Sequence, residues 1–308
     1  MTGWRWLLAA LAALLAAPAI AAPDEGRLLE YEHFAAANLP EQRLTIWLPP
    51  GYHRHPDQRY GVVYMHDGHN LFDPAKSNFN KVWAADKAML AAARTAKIAP
   101  RIIVGIWPPG KDRYRTYLPA SAYLLATDAI GAKMDEMAEG PVASGAYLDW
   151  IADELRPWID RSFRTLSGPA NTAMIGSSMG GLMSCHAFVE RPLIFGQAGC
   201  VSTHWPLIDP DAADAVFDEV IALDQRWFVV RLGEPGGRRL WMDHGTATLD
   251  ARYPRYQAAI DTAVAAQGWQ RGTDFDSKVY PGAEHEENAW ATRLPEIFAF
   301  LFAGQKIQ

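Results

Sequence analysis

Short runs of apolar and β-branched residues alternate along the chain with longer segments of helical periodicity. A short run bounded by turn residues predicts a strand. Seven such runs stand out: Leu44–Leu48, Gly61–His66, Arg101–Trp107, Thr172–Ile175, Gln197–Val201, Arg239–Met242 and Ser277–Tyr280. Because these strands are almost wholly apolar and are separated by helices, they predict a mostly parallel sheet that is buried on both faces. The predicted fold class is α/β.

Four longer segments carry apolar residues at helical spacing. They are Tyr147–Phe163, Gly181–Glu190, Tyr256–Ala266 and Glu286–Phe302, and each predicts an amphipathic helix. The stretch from about 117 to 144 breaks this pattern, since it is rich in Ala and Met with scattered Gly and Pro. We expect an insertion there, partly lid-like, lying over the functional site.

The chain begins with a single positive charge followed by the apolar run Leu7–Ala17 and the small residues Ala19–Ala21. This order is typical of a signal peptide, here residues 1–21, which leaves one domain from 22 to 308. A bilayer span needs about 20 apolar residues, so this run is too short to remain as a membrane anchor. We expect a periplasmic or secreted protein with no stable membrane anchor.

The charge and cysteine content of the chain limit the classes of partner and the disulfides that we expect. The net charge is −6 with both signs interspersed, and no basic stripe is present, so nucleic acid is not expected as a partner. The two cysteines, Cys185 and Cys200, fall in a predicted helix and the strand that follows it. Export permits a disulfide between them, but two buried free thiols are the favoured interpretation.

The pentapeptide Gly176-Ser177-Ser178-Met179-Gly180 lies between a predicted strand and a predicted helix. A G-x-S-x-G sequence in that context is the nucleophile elbow of α/β-hydrolases. Its turn is so tight that side chains at Gly176 and Gly180 would clash. Ser178 is then held in a strained conformation, with its hydroxyl above the sheet and a helix N-terminus beneath it. The motif predicts a serine that attacks an acyl carbon.

A serine nucleophile of this kind is followed along the chain first by an acid and then by a histidine. His285 comes just after the last predicted strand and is the candidate general base. The acid should follow the preceding strand, within Asp243–Asp250. Asp250 lies in the loop and is favoured. Asp243 is the alternative, although its place in the strand could direct its side chain across the sheet.

An acyl-transfer site also needs donors for the oxyanion. One should be the backbone amide of Met179, and the other should come from the loop His66–Asp73 after an earlier strand. In that loop Gly68 allows close approach of the backbone, which leaves the His69 amide as the second donor. The loop also holds several potential metal ligands, but the elbow explains it without metal. We expect no metal and no cofactor.

Three segments together resemble the Putative esterase family of α/β-hydrolases: Tyr64–Asp73, Ile175–Gly181 and Gly282–Glu287. This family includes esterase D-like enzymes, enterochelin, feruloyl and acetyl-xylan esterases, and the mycolyltransferases. The resemblance runs from Leu44 to the last helix. It implies an α/β-hydrolase fold of about eight strands, with Ser178 as nucleophile and His285 as base. The acid segment is a looser match, and some relatives manage with a Ser–His dyad.

Several aromatic residues could form a wall for a flat or carbohydrate-linked ester. His204 and Trp205 follow the strand after the elbow, and Tyr117 and Trp83 could rise toward the same face. Packing of these rings under loops is the competing interpretation. The sequence therefore predicts an exported serine esterase acting on a small-molecule ester. An acyltransferase that uses a hydroxyl acceptor and a non-catalytic binding protein of the same fold remain as alternatives.

Overall fold

The structure is a computed structural model that describes residues 25–305. The predicted signal peptide, residues 1–21, lies outside the described residues. Within 25–305, no helix has both the length and the apolar character needed to cross a bilayer.

The described residues form one eight-stranded sheet in the order β1-β2-β4-β3-β5-β6-β7-β8. The strands β1 and β2 are antiparallel to their neighbours, and the strands from β4 to β8 pair in parallel. The strands are β1 (Arg27–Phe34), β2 (Gln42–Leu48), β3 (Val62–Met65), β4 (Ile102–Ile106), β5 (Thr172–Ser177), β6 (Gln197–Val201), β7 (Arg239–Gly245) and β8 (Phe275–Tyr280). All seven predicted strands are present, and β1 was not predicted.

The helices are α1 (Ala85–Thr95), α2 (Arg113–Tyr117), α3 (Ala120–Leu125), α4 (Asp128–Ala138), α5 (Ser144–Trp150), α6 (Arg156–Ser162), α7 (Met179–Glu190), α8 (Pro210–Ala215), α9 (Phe217–Asp224), α10 (Val230–Leu232), α11 (Pro254–Ala266) and α12 (Glu287–Leu301). The predicted helix Tyr147–Phe163 is α5 and α6 joined by the π-helical turn Ile151–Leu155. Pro157 lacks the amide that would continue the regular ladder there, which accounts for the wider turn.

Helices cover both faces of the sheet, as the continuous apolar strands require. Alternate strand residues point to opposite faces: Val63 and Ile103 pack with α1 and α12 on one side, and Tyr64 and Val104 pack with α5 to α7 on the other. The parallel strands therefore end at a common edge, where the loops that carry Ser178 and His285 meet.

The expectation of two free thiols is wrong: Cys185 and Cys200 form a disulfide. Cys185 lies on α7 and Cys200 on β6, and the helix packs directly against that strand. Their Cα atoms are 6.0 Å apart, which is within the range that a disulfide spans. Sequence spacing alone did not show that both side chains face each other across this contact.

Candidate active site

The elbow forms where β5 ends and α7 begins. Ser178 has φ 57° and ψ −123°, a region that costs a non-glycine residue free energy. Its amide donates to the Val201 carbonyl at 3.0 Å, which ties the turn to β6. A Cβ atom on Gly176 would lie 2.6 Å from the Gly180 carbonyl oxygen. Only glycine therefore fits at that position, and Ser178 is presented at the N-terminus of α7.

Ser178 lies in a cleft of about 760 Å³, called here the Ser178 cleft. Its lining residues come from five loops at the carboxyl edge of the sheet: Asp67, His69, Asn70, Asn78, Phe79, Lys81, Trp83, Pro108, Gly110, Arg113, Ser177, Ser178, Thr248, Glu284, His285, Glu286, Glu287 and Trp290. Ser178 and His285 are thus brought into one cleft although 107 positions separate them in sequence. Within residues 25–305 the His285 ring is hydrogen bonded to Asp250, and no hydrogen bond joins it to Ser178.

Asp250 orients the His285 ring. Its Oδ1 atom lies 2.5 Å from Nδ1 of His285. Because a carboxylate only accepts hydrogen bonds, Nδ1 carries the hydrogen and Nε2 is left as an acceptor. The His285 amide also donates to Thr248 Oγ1 at 2.8 Å, which fixes the backbone of this loop. The pair has the arrangement of a general base and its orienting acid.

The second oxygen of Asp250 is also satisfied. Oδ2 accepts hydrogen bonds from Ser202 Oγ at 2.7 Å and from the Gly245 amide at 2.5 Å. Burial alone would raise the pKa of Asp250, but the hydrogen bonds from His285, Ser202 and Gly245 outweigh it and hold that pKa below its usual value. Asp250 is therefore a fully buried carboxylate that stays charged.

Asp243, the alternative acid, points elsewhere. Its oxygens accept from the Trp241 indole at 2.7 Å and the Ser202 amide at 3.1 Å. A buried guanidinium, Arg293 Nη1, lies 3.4 Å away. Burial raises the pKa of Asp243, and Arg293 only partly offsets it. The side chain faces across the sheet because Asp243 is still in β7, so the structure places Asp250, and not Asp243, against His285.

The two predicted oxyanion donors flank the cleft. Met179 is the first residue of α7, and His69 lies in the short 3₁₀ turn Gly68–Asn70. Within residues 25–305 neither amide donates to a backbone carbonyl, so both are available to a ligand. Gly68 serves the packing of this turn: a Cβ there would lie 2.7 Å from the carbonyl carbon of Gly105 in β4.

An ion pair secures the same turn. Asp67, which precedes Gly68, has φ 56°, and its carboxylate receives two hydrogen bonds from Arg113, at 2.8 and 2.7 Å. Burial would raise the pKa of Asp67, but the Arg113 guanidinium outweighs this and lowers it. The Asp67 carboxylate is thus committed to Arg113. Across 25–305 no group of three or more His, Cys, Asp or Glu side chains is placed to hold a metal ion.

The predicted aromatic wall is largely wrong. Trp205 is fully buried and its indole donates to Gln257 Oε1 at 2.8 Å. Tyr117 is also fully buried, and its ring packs on His66. His204 is bonded to Tyr253 and to the Ile208 carbonyl. None of the three lines the Ser178 cleft, because the chain after β6 turns inward instead of rising over the site.

Other aromatic residues take that place. Trp83 lines the Ser178 cleft, as suggested by the sequence, together with Phe79 and Trp290. The sequence predicts Trp290 only as part of the last helix, and Phe79 lies in a polar run with no periodicity. An isolated aromatic residue in a polar loop was the one signal that could have indicated Phe79.

The segment predicted to form a lid does not lie over the Ser178 cleft. Residues 117–144 form α3, α4 and their connections, which pack beside α2 and α9. None of them lines the Ser178 cleft. The alanines and methionines that break the helical pattern belong instead to short helices such as α4, which buries Ile130, Met134 and Ala138.

The family model described as Putative esterase matches residues 39–301. The chain belongs to the Putative esterase family. The prediction of an α/β-hydrolase of this family is confirmed.

Individual relatives are distant. YbbA of Bacillus subtilis (strain 168), itself described as uncharacterized, is 27% identical over 165 residues, which cover 53% of this chain and 58% of YbbA. The matched segment thus spans less than two thirds of that protein. An IroE-like serine hydrolase from Shewanella oneidensis has a TM-score of 0.65 at 20% identity, covering 90% of this chain and 80% of that one. A feruloyl esterase module from Clostridium thermocellum, complexed with sinapinate, has a TM-score of 0.60 at 17% identity over 92% and 91%. These two structures share the fold.

Proposed function

We propose that the protein is an exported serine esterase that hydrolyses a small-molecule carboxylic ester through an acyl-enzyme on Ser178. The observation that carries the proposal is the Asp250–His285 pair, with Oδ1 and Nδ1 2.5 Å apart, in the same cleft as a serine on a strained elbow. A pure binding protein would need neither the strained serine nor the buried carboxylate behind the histidine.

The reaction begins when His285 Nε2 takes the proton of the Ser178 hydroxyl and Oγ bonds to the ester carbonyl carbon. The carbonyl oxygen becomes an oxyanion, which accepts hydrogen bonds from the Met179 and His69 amides. The tetrahedral intermediate collapses, and the alcohol leaves with the proton from His285. Water then attacks the acyl-enzyme and gives one proton to His285. That proton returns to Ser178 Oγ as the acid is released.

Covalent trapping tests this route. With p-nitrophenyl acetate in excess, we expect a burst of p-nitrophenol equal to the enzyme concentration, provided that deacylation is slower than acylation. Digestion of the acid-quenched protein should then show one acetyl group on the peptide that contains Ser178. Acetylation of a residue other than Ser178 would contradict the mechanism. So would turnover of the ester with no acetyl adduct in protein whose Ser178 a fluorophosphonate also fails to label.

The cleft wall favours an ester with an aromatic group. Phe79 is 88% exposed, and its backbone is left-handed, with φ 58°. Both the backbone conformation and the exposure of an apolar ring are unfavourable in free energy. The preceding residue anchors it: the Asn78 amide donates to Asn70 Oδ1 at 3.1 Å. With Trp83 and Trp290 also lining the cleft, the ring could stack on an aromatic part of the substrate.

Replacing Phe79 with alanine tests this preference. We expect KM to rise about tenfold for an ester with an aromatic acyl group, the effect of losing one aromatic contact. For acetate esters KM should stay close to that of the parent. Leu193→Ala is the matched control, because Leu193 is 87% exposed but lies outside the cleft. Equal changes in KM for both ester types would refute an aromatic platform at this position.

Export is part of the proposal. The predicted signal peptide at residues 1–21 supports it, and so does the Cys185–Cys200 disulfide, which persists in an oxidising compartment. We therefore expect the exported protein to begin at Ala22, which N-terminal sequencing or intact mass would show. A protein that keeps residues 1–21 would contradict export by this route.

A further inference from the structure

The turn that carries the predicted oxyanion donor His69 ends in a buried asparagine. Asn70 is the last residue of the 3₁₀ turn Gly68–Asn70 and is 5% exposed. Its backbone amide donates to the Asp67 carbonyl at 2.9 Å, and its carbonyl accepts from the Trp83 amide at 2.9 Å. The backbone of Asn70 therefore joins the end of the turn both to its start and to the loop of aromatic residues.

The Asn70 side chain joins two further segments of the cleft wall. Oδ1 accepts from the Asn78 amide at 3.1 Å, and Nδ2 donates to Glu287 Oε1 at 2.8 Å. A backbone amide can only donate, so the side-chain oxygen of Asn70 must face Asn78 and its NH₂ group must face Glu287. Glu287 is the first residue of α12 and follows His285 by two positions. One side chain thus ties the oxyanion turn to the loop that presents the candidate general base.

This hydrogen bond complements the ion pair between Asp67 and Arg113. The ion pair secures the start of the turn, and the hydrogen bond from Asn70 to Glu287 secures its end. All four side chains line the Ser178 cleft. Because a group that is about 1 Å out of place can cost about 10²-fold in rate, a restraint at each end of the turn bears directly on the placement of the oxyanion donor.

We propose that Asn70 is a positioning residue, which acts through its hydrogen bond to Glu287 to hold the His69 amide where the oxyanion of the ester forms. This inference rests on the proposed function, since the amide matters only if Ser178 attacks an acyl carbon. An oxyanion forms in both acylation and deacylation. Loss of the hydrogen bond should therefore lower kcat, while KM for a small ester stays close to that of the parent.

Exchanging the two side chains tests the pair. Asn70→Asp keeps the acceptor for the Asn78 amide but places a second carboxylate against Glu287, so the hydrogen bond is lost. At pH 8 we expect kcat for p-nitrophenyl acetate to fall about 100-fold, as for the loss of one oxyanion donor. The double variant Asn70→Asp/Glu287→Gln has a hydrogen bond of the opposite direction and the net charge of the parent, so it should recover most of that loss. Glu287→Gln would not repair general damage to the fold.

The pH profile is the second readout. Burial raises the pKa of Glu287, and the nearby charges of Glu286 and Asp67 add to the rise. Two carboxylates in contact share one proton as the pH falls, and that proton rebuilds a hydrogen bond in Asn70→Asp. The ratio of its kcat to that of the parent should thus rise between about pH 8 and pH 5, whereas the ratio for the double variant should stay level. The ratio cancels the titration of the other charged or titratable groups around the pair, which are Arg113, Lys81, Glu284, His69 and His285.

Asn288→Asp is the matched control, because it adds a carboxylate at the next position of α12, on an exposed side chain outside the Ser178 cleft. Its kcat should equal that of the parent. An Asn70→Asp enzyme with more than about a third of the parent kcat at pH 8 overturns the proposal, and so does a double variant as slow as Asn70→Asp.

If Asn70→Asp does not fold, two substitutions of its partner decide. Glu287→Gln keeps an acceptor for the Asn70 NH₂ group and Glu287→Leu does not, although both remove the charge. The glutamine variant must therefore lose less kcat than the leucine variant, and equal losses overturn the proposal. Parent protein in which a fluorophosphonate never labels Ser178 would instead defeat the proposed function, and this inference with it.

Discussion

Replacing Ser178 with alanine is expected to reduce kcat for p-nitrophenyl acetate by about 10⁶-fold. The variant retains the cleft, the His285–Asp250 pair and both amide donors, but it has no atom that can bond to the acyl carbon. The elbow should stay folded, because the contacts that close it come from Gly176, Gly180 and the Ser178 backbone. Steady-state hydrolysis, corrected for spontaneous hydrolysis of the ester, is the measurement.

Ser177→Ala is the matched control for that experiment. The motif contains two adjacent serines, and Ser177 also lines the cleft, but it belongs to β5 and pairs with Val201 of β6. Its hydroxyl is therefore not presented by the elbow, and activity of the parent's order is expected. If Ser178→Ala kept activity near that of the parent while Ser177→Ala lost it, the assignment of the nucleophile would be reversed.

Sequence reasoning worked where chain order and backbone sterics decide the outcome. The elbow requires glycines at fixed positions around Ser178, and parallel strands bring the loops after β5, β7 and β8 to one edge. These constraints can be recognised in a single sequence, as glycines at fixed positions and as the order of strands and loops. The strand runs followed from them. The same constraints predicted the loop position of His285 and the choice of Asp250 over Asp243, and the structure places the Asp250 and His285 side chains in contact.

The same reasoning failed where a side-chain direction decides the outcome. Position after a strand suggested that Trp205 would face the cleft, but the chain turns inward there and buries the ring. The edge strand β1 was missed because its exposed faces carry charged residues such as Glu30 and Glu32, so no apolar run marks it. Neither the disulfide nor the exposed ring of Phe79 leaves a periodic signal. Each depends on contacts between distant segments.

Replacing Asp250 with asparagine is expected to lower kcat by about 10⁴-fold while the protein stays folded. The reason lies in the hydrogen bonds around this side chain. Oδ2 of Asp250 accepts from two donors, Ser202 Oγ and the Gly245 amide, so the asparagine oxygen must occupy that position. The amide NH₂ group then faces His285 and donates to Nδ1. This forces the imidazole hydrogen onto Nε2, and His285 can no longer take the Ser178 proton.

Replacing Asp243 with asparagine should instead lower stability and leave kcat unchanged. The two variants together therefore distinguish the acid that orients His285 from the acid that stabilises the fold. Asp243 accepts on both oxygens, from Trp241 and from Ser202, beside the buried Arg293. An NH₂ group there must face one of these donors, and the free energy of unfolding should fall by about 2 kcal/mol. Because Asp243 does not touch His285, kcat should remain close to that of the parent. Thermal unfolding and kcat measured on both variants separate the two roles. An Asp250→Asn enzyme with more than a tenth of the parent kcat would show that Ser178 and His285 act as a dyad, with Asp250 kept for structure alone.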